Sequence, residues 1–191
     1  MHNRRGARAA ETGCKVLVEQ FRKASKPLFD PLGFLHHTLG RAHDAVVALG
    51  AKLAIDLRPR ATCAVCLVQR NEAYWAHVGD SRIYHLRGGA VVARTRDHSY
   101  SELQEALNHV VPMGEKFNRN VLFTCLGSPG KPVVDTAGPI LMQAGDRVLL
   151  CSDGLWGSVT DAEISEQLGH RTLADAVPEL VEQALRHAGA K

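Results

Sequence analysis

The chain has 191 residues, of which 45% are hydrophobic and 23% are charged. These values are ordinary for a soluble globular protein, and the length is sufficient for one domain with a sizeable core. The formal net charge of +3 is spread along the chain, which gives little support to nucleic-acid or membrane binding. Since no apolar run reaches the length of a membrane span or secretory signal, we expect one cytoplasmic domain over residues 1–191.

The cysteines favour reduced thiols. Their number, five, is odd, and Cys14, Cys63, Cys125 and Cys151 lie in apolar stretches, which suits core thiols better than a disulfide framework. Cys63 and Cys66 alternate to opposite faces of a predicted strand, whereas a redox pair normally lies at the start of a helix. Core packing is therefore the predicted role of these side chains.

Two helices are predicted before residue 60. Apolar residues recur at helical spacing from Ala10 until the prolines near residue 27 interrupt the pattern. A second helix is predicted to begin at Pro31 with Asp30 as its N-cap, because proline fits the first helical position. Apolar residues at helical spacing continue this helix to Gly50.

Short runs rich in Val, Ile, Tyr and Trp follow residue 60. They predict strands at about 62–69, 73–78, 82–86 and 90–94, joined by turns as an antiparallel meander. The turn at 79–81 (Gly-Asp-Ser) places a carboxylate at the bend between two strands. Asp80 is therefore a candidate cation ligand.

The second half of the chain predicts further strands and three helices. A short helix should follow Ser99, and strands are predicted at 121–125 and 140–142, on either side of irregular stretches. Thr160 and Glu163 have the spacing of a capping box, so a helix should begin at Asp161. The last helix contains Pro178, which fits if Asp175 is the N-cap. Helices, then strands, then helices predict an α+β fold with packed layers.

The segment 148–157 (Val-Leu-Leu-Cys-Ser-Asp-Gly-Leu-Trp-Gly) carries the second candidate ligand. Its apolar start predicts a strand buried on both faces, and Gly154 is expected to let the backbone bend so that Asp153 projects toward a cleft. Carboxylates at strand ends suit hard divalent cations, which prefer oxygen ligands. The alternative is that Asp153 merely caps the turn at 154–155, and local chemistry favours that role at least equally.

Five segments resemble, in chain order, motifs of the metal-dependent serine/threonine protein phosphatases (PPM, type 2C). The bacterial single-domain branch is the most similar, and the resemblance covers about residues 6–190. The elements at 79–82 (Gly-Asp-Ser-Arg) and 152–156 (Ser-Asp-Gly-Leu-Trp) are highly specific at this separation. The segments are 61–65 (Ala-Thr-Cys-Ala-Val), 76–84 (Ala-His-Val-Gly-Asp-Ser-Arg-Ile-Tyr), 95–99 (Thr-Arg-Asp-His-Ser), 119–121 (Arg-Asn-Val) and 150–156 (Leu-Cys-Ser-Asp-Gly-Leu-Trp).

The resemblance implies an α-β-β-α layered sandwich of mainly antiparallel sheets flanked by helix pairs, with a binuclear Mn²⁺ or Mg²⁺ site at one end. It also implies that water activated by the metals attacks the phosphoryl group of phosphoserine or phosphothreonine in a protein substrate. Asp153, in the same element as Gly154, matches the core metal ligand. Asp80 matches a residue associated with an additional, weaker metal, and no substrate-binding residue is assigned.

The chain also departs from the family pattern. The usual Arg-x-x-Asn-Glu-Asp and Asp-Gly-x-Gly-Gly elements near the start and the Asp-Asn element after the last helix are not found. Gly157 stands where some relatives carry another aspartate. One core carboxylate, Asp153, cannot hold two ions tightly, so we expect a truncated domain without its terminal strands and with little or no activity. The alternative is a pseudophosphatase that binds a phosphoprotein or a cognate kinase.

Overall fold

A computed structural model describes residues 2–108, 118 and 121–189. Two three-stranded antiparallel sheets pack between helices, which confirms the predicted α+β sandwich. Within these residues, no helix combines the length and the apolar character needed to cross a membrane. The helices are α1 (His2–Lys23), α2 (Pro31–Leu49), α3 (Tyr100–Asn108), α4 (Asp153–Trp156), α5 (Asp161–His170) and α6 (Leu173–Gly189). The strands are β1 (Cys63–Gln69), β2 (Glu72–Val78), β3 (Arg82–Arg87), β4 (Ala90–Arg94), β5 (Asp135–Leu141) and β6 (Arg147–Cys151).

The two sheets have the strand orders β1-β2-β5 and β4-β3-β6. Strands β2 and β3 are consecutive in the chain but belong to different sheets, so the predicted four-stranded meander is wrong at the turn 79–81. Gly79 has φ +100°, and a Cβ at this position would collide with Thr62. Only glycine adopts this conformation readily, and it turns the chain out of the first sheet and into the second.

Helices α1 and α2 cover the first sheet. The apolar face of α2 buries Leu35, Leu39 and Val46 in a core that also contains Ala76 and Val78 of β2. The predicted start of α2 is confirmed, because the Asp30 carboxylate accepts a hydrogen bond from the Gly33 amide at 2.9 Å. The Asp-Pro pair thus fixes where the helix begins.

Helices α5 and α6 cover the second sheet. Tyr84 and Leu86 of β3 pack against Ile164 and Leu168 of α5 and Leu180 of α6. This cluster is separate from the one beneath α1 and α2. This core therefore joins the second sheet to the two helices that cover it.

The predicted start of α5 is confirmed, whereas that of α6 is not. The capping box is confirmed: Thr160 accepts from the Glu163 amide, and the Glu163 carboxylate accepts from the Thr160 amide. The predicted N-cap of α6 is wrong, since Thr172 accepts from the Asp175 amide at 3.3 Å and the helix begins earlier. Pro178 consequently lies inside α6.

Three further predictions are corrected. Residues 121–125 do not form a strand: Leu122 makes an isolated bridge with Ser99, and Leu126, just beyond the predicted strand, makes another with Ala61. Strand β6 is an edge strand with Leu150 44% exposed, so it is not buried on both faces. All five cysteines are free thiols, as predicted, but Cys14 is exposed. The irregular stretch predicted near residues 112–120 lies outside the described residues, apart from Asn118.

Candidate functional site

Asp80 lies in the turn that carries the chain from β2 to β3, and it is half-buried. The indole Nε1 of Trp156 donates a hydrogen bond to the Asp80 carbonyl at 2.9 Å, which ties the turn to α4. Burial raises the pKa of the Asp80 carboxyl group, and the negative charges of Asp153 and Asp97 raise it further. A nearby positive charge would therefore stabilise the ionised form of this carboxylate.

Asp153 is the exposed first residue of α4, with Ser152 at the N-cap position. The predicted sharp bend at Gly154 is wrong: the segment forms one helical turn, closed by a hydrogen bond from the Gly157 amide to the Asp153 carbonyl at 2.9 Å. In the antiparallel pair of β3 and β6, Arg82 lies opposite Cys151, so Asp80, just before β3, and Asp153, just after β6, lie at the same end of the second sheet. The structure thus places Asp80 and Asp153 at the same end of this sheet, and Gly154 follows Asp153 in the chain.

Arg82 and Asp97 support this turn from the β3 side. Their side chains form a two-pronged ion pair, with both nitrogen–oxygen distances 2.8 Å. The guanidinium also lies 3.7 Å from the centre of the Trp156 ring and donates to the Tyr84 hydroxyl. The sequence did not assign these side chains to the candidate site, although Arg82 and Asp97 lie in two of the five family-like segments. Their spacing alone does not reveal the pairing.

A second group of possible metal ligands lies behind Gly79. Ligand atoms of His77, His98 and Asp135 all lie within 4.8 Å of one another. His77 Nε2 is 2.7 Å from the Arg96 carbonyl, which places its ring proton there and leaves Nδ1 without a partner. His98 Nδ1 accepts from the Gly79 amide at 3.1 Å, so the proton of this ring lies on Nε2, 3.2 Å from Asp135 Oδ2.

This histidine group fits a metal ion poorly. A protonated ring nitrogen cannot act as a ligand, so His98 would have to lose either its Nε2 proton or its hydrogen bond from Gly79. That leaves His77 and Asp135, which are too few for the usual zinc coordination by protein side chains. The group is better explained as a buried hydrogen-bonded support for the turn that carries Asp80.

A cavity of about 270 Å³ lies next to the candidate site, between α1 and the edge strands β1 and β6. Cys14, Cys63 and Cys151 contribute to its lining. Burial raises the pKa of Cys63 to about 12 and that of Cys151 to about 11, so these thiols are protonated at neutral pH. Such a neutral lining suits an apolar side chain better than a phosphate group.

Comparison with known proteins identifies the family. The sequence model of the protein phosphatase 2C family matches residues 2–188. The serine/threonine phosphatase stp of Listeria innocua is 30% identical over 200 residues, and the alignment covers 98% of this chain and 76% of that protein. The chain therefore belongs to the protein phosphatase 2C family, whose bacterial members in this comparison are serine/threonine phosphatases.

Solved structures agree with this result. PppA, described as a key regulatory component of the type VI secretion system in Pseudomonas aeruginosa, is 27% identical with a TM-score of 0.76. That alignment covers 92% of this chain and 73% of PppA. The catalytic domain of the phosphatase PstP, solved with two manganese ions, is 27% identical with a TM-score of 0.75, and the alignment covers 95% of this chain and 75% of that solved domain.

Proposed function

We propose that this chain is a metal-dependent protein serine/threonine phosphatase domain that acts on phosphoserine and phosphothreonine and has little or no hydrolytic activity by itself. Asp153, Asp80 and Gly154 contribute to a site for Mn²⁺ or Mg²⁺. The observation that carries the proposal is the position of Asp80 and Asp153 at the paired ends of β3 and β6, where Arg82 lies opposite Cys151. Membership in the protein phosphatase 2C family supports the reaction class.

The donor atoms suit a hard cation. Asp80 and Asp153 offer carboxylate oxygens and Gly154 offers a backbone carbonyl oxygen, which are ligand types that Mn²⁺ and Mg²⁺ prefer. Magnesium is often held by one or two carboxylates and keeps several waters, so this set fits one hydrated ion. A divalent cation held there would supply Lewis-acid chemistry, since it lowers the pKa of water and offsets charge on phosphoryl oxygens.

The other side chains hold the carboxylates in place. The Arg82–Asp97 ion pair fixes the start of β3, and Trp156 holds the carbonyl of Asp80. Because its pKa is raised, Asp80 takes up a proton more readily than an exposed aspartate, and protons compete with a cation for this group. Cation binding is thus expected to weaken as the pH falls toward the pKa of Asp80.

The proposed low activity follows from charge. Asp80 and Asp153 together carry two negative charges, whereas two divalent ions carry four positive charges and need further acidic ligands. The acidic elements that the family resemblance would add are not found in the sequence. The description of residues 1–191 as a truncated domain remains a prediction.

Manganese-dependent hydrolysis of p-nitrophenyl phosphate and calorimetric Mn²⁺ binding test the proposal. We expect negligible turnover, weak Mn²⁺ binding in the wild type, loss of that binding in Asp153→Asn, and unchanged binding in the exposed control Asp44→Asn. Robust turnover that disappears in Asp153→Asn would show that other groups replace the missing ligands. Equal Mn²⁺ binding in wild type and Asp153→Asn would contradict the assignment of Asp153.

A phosphopeptide-binding measurement separates the proposal from its alternative. Binding of a phosphoserine peptide without turnover, unaffected by Mn²⁺, is expected of a pseudophosphatase. Mn²⁺-dependent binding that is lost in Asp153→Asn is expected of the phosphatase site. The same peptide without its phosphate serves as the control, because only recognition of the phosphoryl group distinguishes the two functions.

A further inference from the structure

We infer that His98 is a positioning residue for Asp80 and acts through Gly79. The inference rests on the proposed function in one respect, which is that Asp80 contributes to cation binding. The ring Nδ1 and the backbone amide of His98 both form hydrogen bonds with Gly79, the residue that precedes Asp80. The role is therefore to hold the backbone from which Asp80 projects.

His98 holds both backbone polar groups of Gly79. The Gly79 amide donates to His98 Nδ1 at 3.1 Å, and the His98 amide donates to the Gly79 carbonyl at 3.0 Å. This carbonyl belongs to the peptide unit that contains the Asp80 nitrogen, so fixing its direction fixes the plane from which Asp80 continues. Since Gly79 has φ +100°, the two hydrogen bonds stabilise a conformation that the chain seldom adopts.

The His98 ring is itself held on three sides. It is 3% exposed and stacks on His77, with ring centres 4.5 Å apart and planes inclined by 27°. Phe123 lies near it, with ring centres 5.4 Å apart. Asp135 Oδ2 is 3.2 Å from Nε2, the nitrogen that faces away from Gly79. A ring fixed in this way keeps Nδ1 directed at the Gly79 amide.

The need for such support follows from charge. Asp80 and Asp153 lie at the same end of the second sheet, and their negative charges repel each other when no cation lies between them. A flexible turn would let the carboxylates separate, and binding a cation would then require the turn to be ordered again. A turn held in place by His98 keeps the carboxylates together before the cation arrives, which increases affinity.

Two isosteric substitutions of His98 provide the test. In His98→Asn, the amide oxygen can take the place of Nδ1 and accept from the Gly79 amide. In His98→Gln, the amide group reaches the place of Nε2, so contact with Asp135 is retained and the acceptor for Gly79 is lost. Both remove the ring stacked on His77, so a merely structural role predicts equal losses of stability and of Mn²⁺ affinity.

We expect His98→Gln to weaken Mn²⁺ binding by roughly tenfold or more, the effect typical of losing an outer-shell partner. His98→Asn should retain most of the affinity, with a urea midpoint close to that of His98→Gln. The exposed control His36→Asn should change neither quantity. Equal Mn²⁺ affinities in His98→Asn and His98→Gln would overturn the inference.

Hydrogen exchange of the Gly79 amide, measured by NMR without metal, decides the inference independently of the proposed function. Slow exchange is expected in wild type and His98→Asn, and faster exchange in His98→Gln. If wild type binds no Mn²⁺, the proposed cation site fails, and the exchange pattern alone still shows whether His98 holds the turn. Equal exchange in all three proteins would refute the holding role.

Discussion

Arg82 and Asp97 form a buried ion pair in which Nε donates to Oδ1 and Nη2 donates to Oδ2, each at 2.8 Å. Their side chains are 12% and 6% exposed, so water cannot replace a lost partner. The pair connects the start of β3 to the loop 95–99 and lies next to the turn that carries Asp80. Stability and the geometry of the candidate site are therefore expected to depend on the same contact.

Asp97→Asn is expected to lower the free energy of unfolding by about 3 kcal/mol, because it leaves the Arg82 charge buried without its partner. Arg82→Lys should also destabilise the protein, since an ammonium group cannot form two parallel hydrogen bonds. Urea unfolding measures both. Glu11→Gln, which removes an exposed ion pair with Lys15, should leave the midpoint unchanged. A wild-type midpoint in Asp97→Asn would contradict the prediction.

Asp146 is expected to make stability depend on pH. Hydrogen bonds hold the pKa of this carboxyl well below its usual value: Arg87 makes the largest contribution, and the Gln143 amide and His85 add to it. Because the folded pKa is lowered, the stabilisation is complete above the unfolded pKa of about 4 and is lost as the pH falls through the folded pKa. Urea midpoints from pH 7 to pH 2 should therefore converge between wild type and Asp146→Asn.

The control for this series is Asp56→Asn, in an exposed 3-10 turn, which should follow the wild-type curve at every pH. A constant difference between wild type and Asp146→Asn across the whole range would show that the substitution removes packing only. A difference that grows at low pH would contradict the direction of the pKa shift.

Gly79→Ala is expected to destabilise the protein by about 2 kcal/mol, because φ +100° is strained for alanine and the new Cβ would collide with Thr62. Since the turn carries Asp80, Mn²⁺ binding should weaken as well. Thermal unfolding and calorimetry measure the two effects. Gly130→Ala, where nothing lies within 4 Å of an added Cβ, is the matched control and should leave both unchanged.

Thr160→Ala is expected to cost about 1 kcal/mol, because α5 loses the side-chain acceptor for one of its first amides. Thr160→Ser keeps the hydroxyl and should retain most of the stability. Urea unfolding of both variants measures the contribution of the cap. If serine and alanine destabilise equally, the lost methyl group and not the hydrogen bond explains the effect.

Local signals in the sequence predicted several elements correctly. The Asp30–Pro31 pair and the Thr160–Glu163 pair each lie within one helical turn, so the residues that fix these helix starts are close together in the sequence. Contacts across the fold behave differently. Nothing in the spacing of β2 and β3 shows that they pair with different partners, because that choice depends on β5 and β6 much later in the chain.

The same distinction explains which parts of the candidate site the sequence could predict. The sequence pointed to Asp80 and Asp153, and their placement at one end of the second sheet depends on the pairing of β3 with β6, which are far apart in the chain. The support from His98 is invisible in the sequence because it consists of a ring nitrogen and backbone groups of a glycine. The exposed edge of β6 was also missed, since an apolar run gives no information about neighbouring strands.

The passage of the chain between sheets at 79–81 links ligand binding to the assembly of the sandwich. Asp80 lies where the chain passes from β2 of the first sheet to β3 of the second, and Asp153 follows β6, which pairs with β3 so that Arg82 lies opposite Cys151. The separation of the two carboxylates is therefore set by the pairing of β3 with β6 and by how the first sheet docks on the second. By mass action, a ligand that bridges them favours the docked arrangement and raises the temperature of unfolding. By the same thermodynamic linkage, a substitution in the interior between the sheets alters affinity at a site that it does not touch.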